Sequence, residues 1–241
     1  MDLYDTIGRG YGRHRRQDPR IAAQIVQALG DSSSVVNVGA GAGSYEPSDR
    51  KVVAVEPSRV MIRQRDVRAA PVVRASAIHL PFRDETFEVS LAILTIHHWP
   101  DLELGLRELR RVAREKAIVL THDPSAATFW LTDYFPEILD LERWSLPSLA
   151  TLRRHLGPVT VLDVPIPHDC TDGFLGAYWR RPRAYLSAEV RTAISLFSQM
   201  HDVQERVSAL RNDLASGDWY RRNGELLARS SLDLGYRLVV A

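Results

Sequence analysis

The sequence predicts an α/β protein built on a parallel sheet that is covered on both faces. Short continuous apolar runs recur at 35–38, 52–55, 87–94 and 117–120. Amphipathic helical spacing lies before and between these runs, and polar or glycine-rich clusters follow them. Apolar runs without alternation belong to strands buried on both sides. Strands that alternate with helices form parallel sheets.

The elements follow in chain order. Asp18-Pro19 starts a helix, with a capping carboxylate and a proline that loses no needed N–H. Ile21, Ile25 and Leu29 line one face of that helix, and Gly30 stops it. The strand Val35-Val36-Asn37-Val38 runs into Gly39-Ala40-Gly41-Ala42-Gly43. Val52-Val53-Ala54-Val55 ends in Glu56, after which Pro57-Ser58 opens a short helix. The run Phe87 to Leu94 ends at His97-His98. Asp101 then caps a helix with Leu102, Leu106, Leu109 and Ala113 on one side. Ala117 to Leu120, Val159 to Val164 and Tyr236 to Val240 complete the strands. The segment 165–231 differs in character. Ser187 reads as a helix cap, and Ala193, Leu196, Met200, Val203, Val207, Leu210 and Leu214 recur at spacings of three and four. That stripe fits one or two helices packed over the sheet as a cap, with a dimer seam as the alternative. His201-Asp202 is a candidate break in it.

The length of 241 residues fits one domain, or one domain with an insertion. With 45% hydrophobic and 25% charged residues, disorder and rod-like architectures are excluded. The single cysteine, Cys170, excludes an internal disulfide framework and a multi-cysteine metal site, and fits a reducing compartment. A net charge of +1 gives no global case for nucleic acid or an anionic membrane. Residues 1–18 are polar and glycine-broken, and no run approaches a membrane span, so a cytoplasmic protein is expected.

Glycines directly after a strand let the backbone turn tightly and let a ligand approach the main chain. Glu56, at the end of the next strand, can accept hydrogen bonds from ribose hydroxyls. Singly, these features also read as a plain turn and a helix-start carboxylate; together they point to a nucleoside cofactor without saying which. The stretch Ala75-Ser76-Ala77-Ile78-His79-Leu80-Pro81-Phe82-Arg83-Asp84-Glu85-Thr86-Phe87 discriminates. With the glycine loop before it and His97-His98-Trp99 after it, the chain resembles the class I S-adenosylmethionine-dependent methyltransferases. The likeness is to the small-molecule group that includes the ubiquinone/menaquinone and trans-aconitate methyltransferases.

That resemblance implies a Rossmann-like, doubly wound seven-stranded sheet with an antiparallel last strand and a helical insert before it. It divides the chain into a cofactor-binding core, 1–166 with 232–241, and a helical cap, 167–231. It implies that Gly39, Ala40 and Gly41 hold the methionine part of S-adenosylmethionine, and that Glu56 with Pro57 meets the ribose. Ser76 and Ala77 would meet the adenine edge, and the carbonyls near Ile93 and Leu94 the amino group. Tyr4, Tyr11 and Arg15 resemble the family's lid helix. Asn37 stands where the family usually has an acid, and Ser76 where it often has an aspartate. Both departures remove a charge that would face the cofactor.

The activity implied is methyl transfer to a small-molecule acceptor at oxygen, nitrogen or carbon, with S-adenosylhomocysteine as product. A non-catalytic nucleoside-binding relic of the fold, or an interaction module, is the alternative. Neither nucleic acid nor membrane is expected as partner, and the protein is monomer or homodimer. His97 and His98 are the candidate bases; neighbours at a strand end point in opposite directions, so at most one is expected to face the pocket. His122-Asp123 is a second candidate. A metal at His168, Asp169, Cys170 and Asp172 competes with a polar turn, and no metal site is expected. Trp130, Tyr134, Phe135, Trp144, Tyr178 and Trp179 are candidate walls for an apolar acceptor.

Overall fold

The computed structural model describes residues 15–126 and 129–241. Its strands are β1 (Ser34–Val38), β2 (Lys51–Val55), β3 (Val72–Val73), β4 (Phe87–Ile93), β5 (Ala113–His122), β6 (Thr160–Asp163), β7 (Ile166–Pro167), β8 (Ser231–Leu232) and β9 (Tyr236–Val240). Seven of them form one sheet in the order β3–β2–β1–β4–β5–β9–β6. β1 pairs in parallel with both β2 and β4, whereas β9 is antiparallel to β5 and β6. The chain therefore winds outward from β1, returns, and winds outward again from β4. Strand order reverses between β1 and β4, and ligands of such sheets bind at the carboxyl ends on either side of that reversal.

Alternate residues of each strand feed opposite layers, as a two-residue period requires. Val35, Leu91 and Ile118 pack with Ile21, Ile25 and Leu29 of the helix α1 (Pro19–Leu29). Their neighbours Val36, Ala92 and Val119 pack on the other face with Leu106 and Leu109. The Asp18 carboxylate accepts from the Arg20 backbone N–H at 3.0 Å, and Gly30 ends α1 at φ 59°. A short helix α2 (Arg59–Ile62) is capped by Ser58. Asp101 caps α3 (Leu102–Arg111), whose Gly105 leaves room for the Trp99 ring: a Cβ there would lie 2.3 Å from it. Ala113 does not extend the α3 face; it opens β5, which enters the sheet through an irregular register between Phe87 and Val89. No helix joins β1 to β2, consistent with Pro47 in so short a connection.

The helices α4 (Leu131–Tyr134), α5 (Glu137–Ser145) and α6 (Leu149–Leu156) precede β6. β7 and β8 pair antiparallel and bring the two ends of the insert together. Inside the insert, α7 (Ala188–Thr192), α8 (Val203–Ser216) and α9 (Asp218–Asn223) are separated by single turns and bends. The apolar stripe is broken where expected, since Asp202 takes a left-handed φ of 54° just before α8. Its Val207, Leu210 and Leu214 are buried within the chain, in a third cluster with Trp130, Tyr134, Tyr185 and Trp219. Among the described residues, no helix is long and apolar enough to cross a membrane.

Candidate functional site

A cavity of about 310 Å³ opens at the strand-order reversal, between the carboxyl ends of β1, β2 and β4. The glycine turn forms its floor. The N–H groups of Gly39 and Ala40 both donate to the Val55 carbonyl, at 2.9 and 3.0 Å, which pins the turn against β2. Gly39 adopts φ 73°, and a Cβ there would lie 2.1 Å from Thr95 Oγ1, so only glycine fits. Buried Glu56 accepts from Gly41 N–H at 2.8 Å through Oε2 and from Ser58 N–H at 2.9 Å through Oε1.

Asn37 lines the same cavity from β1. Its Nδ2 donates to Glu46 Oε1 at 3.3 Å, and Glu46 is in turn held by Arg65 at 2.8 Å. Asn37 Oδ1 is buried without a partner among the described residues. A buried acceptor left unpaired costs about 1–3 kcal/mol, so this oxygen is placed for a ligand donor such as an ammonium. The glycine cradle, the Glu56 carboxylate and this oxygen fit the amino-acid and nucleoside ends of S-adenosylmethionine.

Arg15, Asn37, Gly39, Ala40, Gly41, Glu56, Pro57, Ser76, Ala77, Ile93, Leu94 and His98 all line this one cavity. Tyr4 and Tyr11 lie outside the described residues. Arg15 reaches the cavity, but its Nε donates to Asp172 at 2.6 Å, so a protein carboxylate already engages the guanidinium. Tyr45 joins this pair: its hydroxyl donates to Asp172 at 3.0 Å and accepts from Asp18 N–H at 3.2 Å. The glycine-loop segment, the N-terminal segment and the start of the insert thus meet at one buried carboxylate. Tyr45, Thr95 and Met61 carry no sequence signal for this place.

A smaller cavity adjoins the first and shares Arg15, Leu94 and His98 with it. Leu94, directly after β4, takes a left-handed conformation, φ 50°, while its N–H donates to the Leu120 carbonyl at 2.8 Å. Strain of this kind clusters at functional sites. The turn Ile96–His98 that follows is a 3-10 helix and not a continuation of the strand, so the expected opposition of His97 and His98 does not hold. Both rings face the smaller cavity, 3.9 Å apart between centroids. Burial holds both imidazoles neutral at pH 7. It drives His97 well below its usual range, with His98 adding to the effect, and His98 down to about 4. His122, at the end of β5, also lines this cavity and is lowered by burial. Facing it from α5 is Glu142, which burial raises to about 7.

The candidate aromatic walls are placed elsewhere. Trp130, Tyr134 and Phe135 belong to the third apolar cluster, Trp179 is buried behind the sheet, and Tyr178 is packed on those clusters. The Trp144 side chain lies outside the described residues. Phe174 and Tyr236 supply the aromatic surface of the smaller cavity instead. Asp169 pairs with Arg20, and among the described residues no three His, Cys, Asp or Glu side chains form a metal-binding group.

A family model described as a methyltransferase domain matches residues 36–121. A crystal structure of a methyltransferase assigned to an antibiotic biosynthesis pathway of Anabaena variabilis is 34% identical, with a TM-score of 0.88 over 95% of this chain and 98% of that one. The demethylmenaquinone methyltransferase of Corynebacterium urealyticum is 28% identical over 123 residues, 46% of this chain and 54% of the relative. The tRNA (carboxymethyluridine(34)-5-O)-methyltransferase of Arabidopsis thaliana is 24% identical over 169 residues, 68% of this chain and 40% of the relative. The chain thus spans about half, or less, of the length of these curated relatives. With a third of its residues identical across nearly the whole of the Anabaena chain, and the matched domain running from the glycine loop through both histidines to β5, the chain belongs to the class I S-adenosylmethionine-dependent methyltransferase family.

Proposed function

We propose that this chain binds S-adenosylmethionine in the larger cavity and methylates a small-molecule acceptor. The observation that carries the reading is Glu56, a buried carboxylate beside the glycine cradle with both oxygens fixed by backbone N–H groups. In this reading Glu56 accepts from the ribose hydroxyls, Asn37 Oδ1 accepts from the ammonium group, and Ser76 with Ala77 meets the adenine. The uncharged Asn37 does not make the site a relic, because Glu46 orients its amide and leaves the oxygen for the ligand.

When bound, the cofactor supplies an already activated sulfonium methyl. What the chain supplies is chiefly alignment, which is worth roughly 7–11 kcal/mol. The cap at 167–231 joins that alignment through Asp172, which holds Arg15 at the boundary of the two cavities. A small acceptor, in place of nucleic acid, is favoured by a second, smaller cavity beside the first and by the balanced net charge. The lone cysteine, Cys170, is the support for a cytoplasmic setting.

Thermal-shift and calorimetric titration test the reading. S-Adenosylhomocysteine is expected to stabilise the protein, by about 2.7 kcal/mol at 100 times its Kd, and NAD to leave it unchanged. Glu56→Gln is expected to weaken product binding at least tenfold. A shift with NAD alone overturns the proposal.

A further inference from the structure

We propose that the smaller cavity is the acceptor site, and that His122, with Glu142 beside it, takes the proton from the hydroxyl of an uncharged phenol or enol acceptor. The inference rests on the functional reading above and assigns the acceptor class and the base within it. The two cavities adjoin, with Arg15, Leu94 and His98 lining both.

The imidazole of His122 is oriented for this role. It is hydrogen-bonded to the Leu234 backbone, with Nε2 on the side of Gly235. Nδ1 is buried and has no hydrogen-bond partner among the described residues. Glu142 Oε1 stands 3.8 Å from Nδ1, too far for a hydrogen bond between them. One hydroxyl oxygen placed about 2.8 Å from each can donate its proton to Nδ1 and accept from a protonated Glu142. In the tautomer protonated on Nε2, Nδ1 carries the lone pair.

The chemistry of the walls selects the acceptor. Five titratable or charged groups besides His122 face the cavity: Arg15, His97, His98, Glu142 and Tyr236. Asp123, Asp233 and Arg237 act on His122 from outside it. Arg15 is paired with Asp172, and the imidazoles are neutral at pH 7. No wall cation is left to balance a carboxylate or phosphate acceptor. Phe174, Ile194 and Leu196 provide apolar surface. A mostly apolar molecule with one ionisable hydroxyl fits these walls.

The step balances. The acceptor O–H bond breaks and its proton moves to His122 Nδ1. The oxygen's electron pair forms the bond to the methyl carbon, whose former bonding pair stays on the departing thioether sulfur. A protonated Glu142 hydrogen-bonds the oxygen as its negative charge develops, and the imidazolium returns its proton to solvent.

The test compares two probes on protein saturated with S-adenosylhomocysteine: 4-methoxyphenol, and 1,4-dimethoxybenzene, which has the same ring and no hydroxyl. A site built to hydrogen-bond a hydroxyl rejects the analogue that lacks it. In the wild type the phenol is expected to bind at least tenfold tighter. His122→Leu and Glu142→Leu are each expected to remove most of that preference and to leave the Kd of S-adenosylhomocysteine within twofold. The wild-type ratio needs no variant, so a variant that fails to fold does not shield the proposal. Normal product binding with no hydroxyl preference in the wild type overturns the inference alone, as does a preference that survives in both variants. Absence of product binding in the wild type overturns the functional reading, and this inference with it.

Discussion

The two cavities share three residues but are built differently. The walls of the larger one are strand ends and backbone turns: the glycine loop, the β2 terminus with Glu56, and the β4 terminus. The smaller one is made of side chains brought from seven separate stretches: Arg15, the 94–98 turn, the end of β5, α5 with Leu146, two parts of the insert at 174–175 and 194–196, and β9. A site made of backbone needs glycine and a carboxylate at fixed places, and those requirements are local in sequence. A site made of side chains requires only that several packed segments converge, and convergence leaves no local mark.

The largest expected effects come from placing one lesion on each side. Gly39→Ala drives a methyl group into Thr95 at a positive φ. The combined clash and backbone strain are expected to cost about 3 kcal/mol in a urea titration and to abolish product binding. A second substitution, Thr95→Gly, removes the clashing atoms and is expected to recover part of both. Leu210→Ala empties a buried position in the third cluster. It is expected to cost about 3 kcal/mol as well, yet to leave the affinity for S-adenosylhomocysteine within twofold. If Leu210→Ala weakens product binding as strongly as Gly39→Ala, the two regions are not separable in the way their construction suggests.

Acid separates the regions next, because three buried histidines surround the smaller cavity. The pKa of His98 falls from 6.5 to about 4 on folding, and His97 and His122 shift in the same direction. The unfolded chain therefore binds those protons first, and stability declines as pH drops from 6.5 towards 4. Glu142 has the opposite sign. Its pKa rises from 4.5 to about 7, so the folded state takes that proton first and gains stability as pH falls through the same interval. Three groups against one leave a net loss of stability between pH 7 and pH 5. Urea midpoints at the two pH values measure it. Glu142→Gln removes the opposing contribution and is expected to steepen the loss; a shallower loss would contradict the assignment of Glu142.

The same contrast governs what was legible in the sequence. The order of strands and helices was readable because Val35–Val38, Val52–Val55 and the Ile21/Ile25/Leu29 stripe obey strand and helix periods locally. The larger cavity was readable for the same reason, down to Ser76, Ala77 and Leu94, once a family resemblance joined the segments. Glu142 was not. It is one acid among several charged residues of α5, and only the tertiary fold brings it beside His122. Phe174 and Tyr236 were hidden likewise, while the more numerous tryptophans and tyrosines went into the apolar clusters. The 3-10 turn at 96–98 also escaped, because a left-handed Leu94 redirects the chain at a residue type that gives no warning of it.

The smallest effect expected lies within the readable cavity, where Ser76 replaces a commonly acidic position and lines the wall near Glu56. If the adenine amine lies against Ser76, Ser76→Asp replaces a neutral hydrogen bond by a charge-assisted one, roughly twice as strong. The buried Glu56 carboxylate is a like charge in the same cavity and opposes the gain. The balance is a modest tightening, about 1 kcal/mol or fivefold to tenfold in the Kd of S-adenosylhomocysteine by calorimetry. The decisive control is S-inosylhomocysteine, whose ring carries a carbonyl in place of the amine. A carboxylate repels that oxygen, so Ser76→Asp is expected to weaken binding of the inosyl compound while tightening that of the adenosyl one. Equal changes for both ligands would mean that the substitution acts through the general charge of the cavity, and that the adenine edge lies elsewhere.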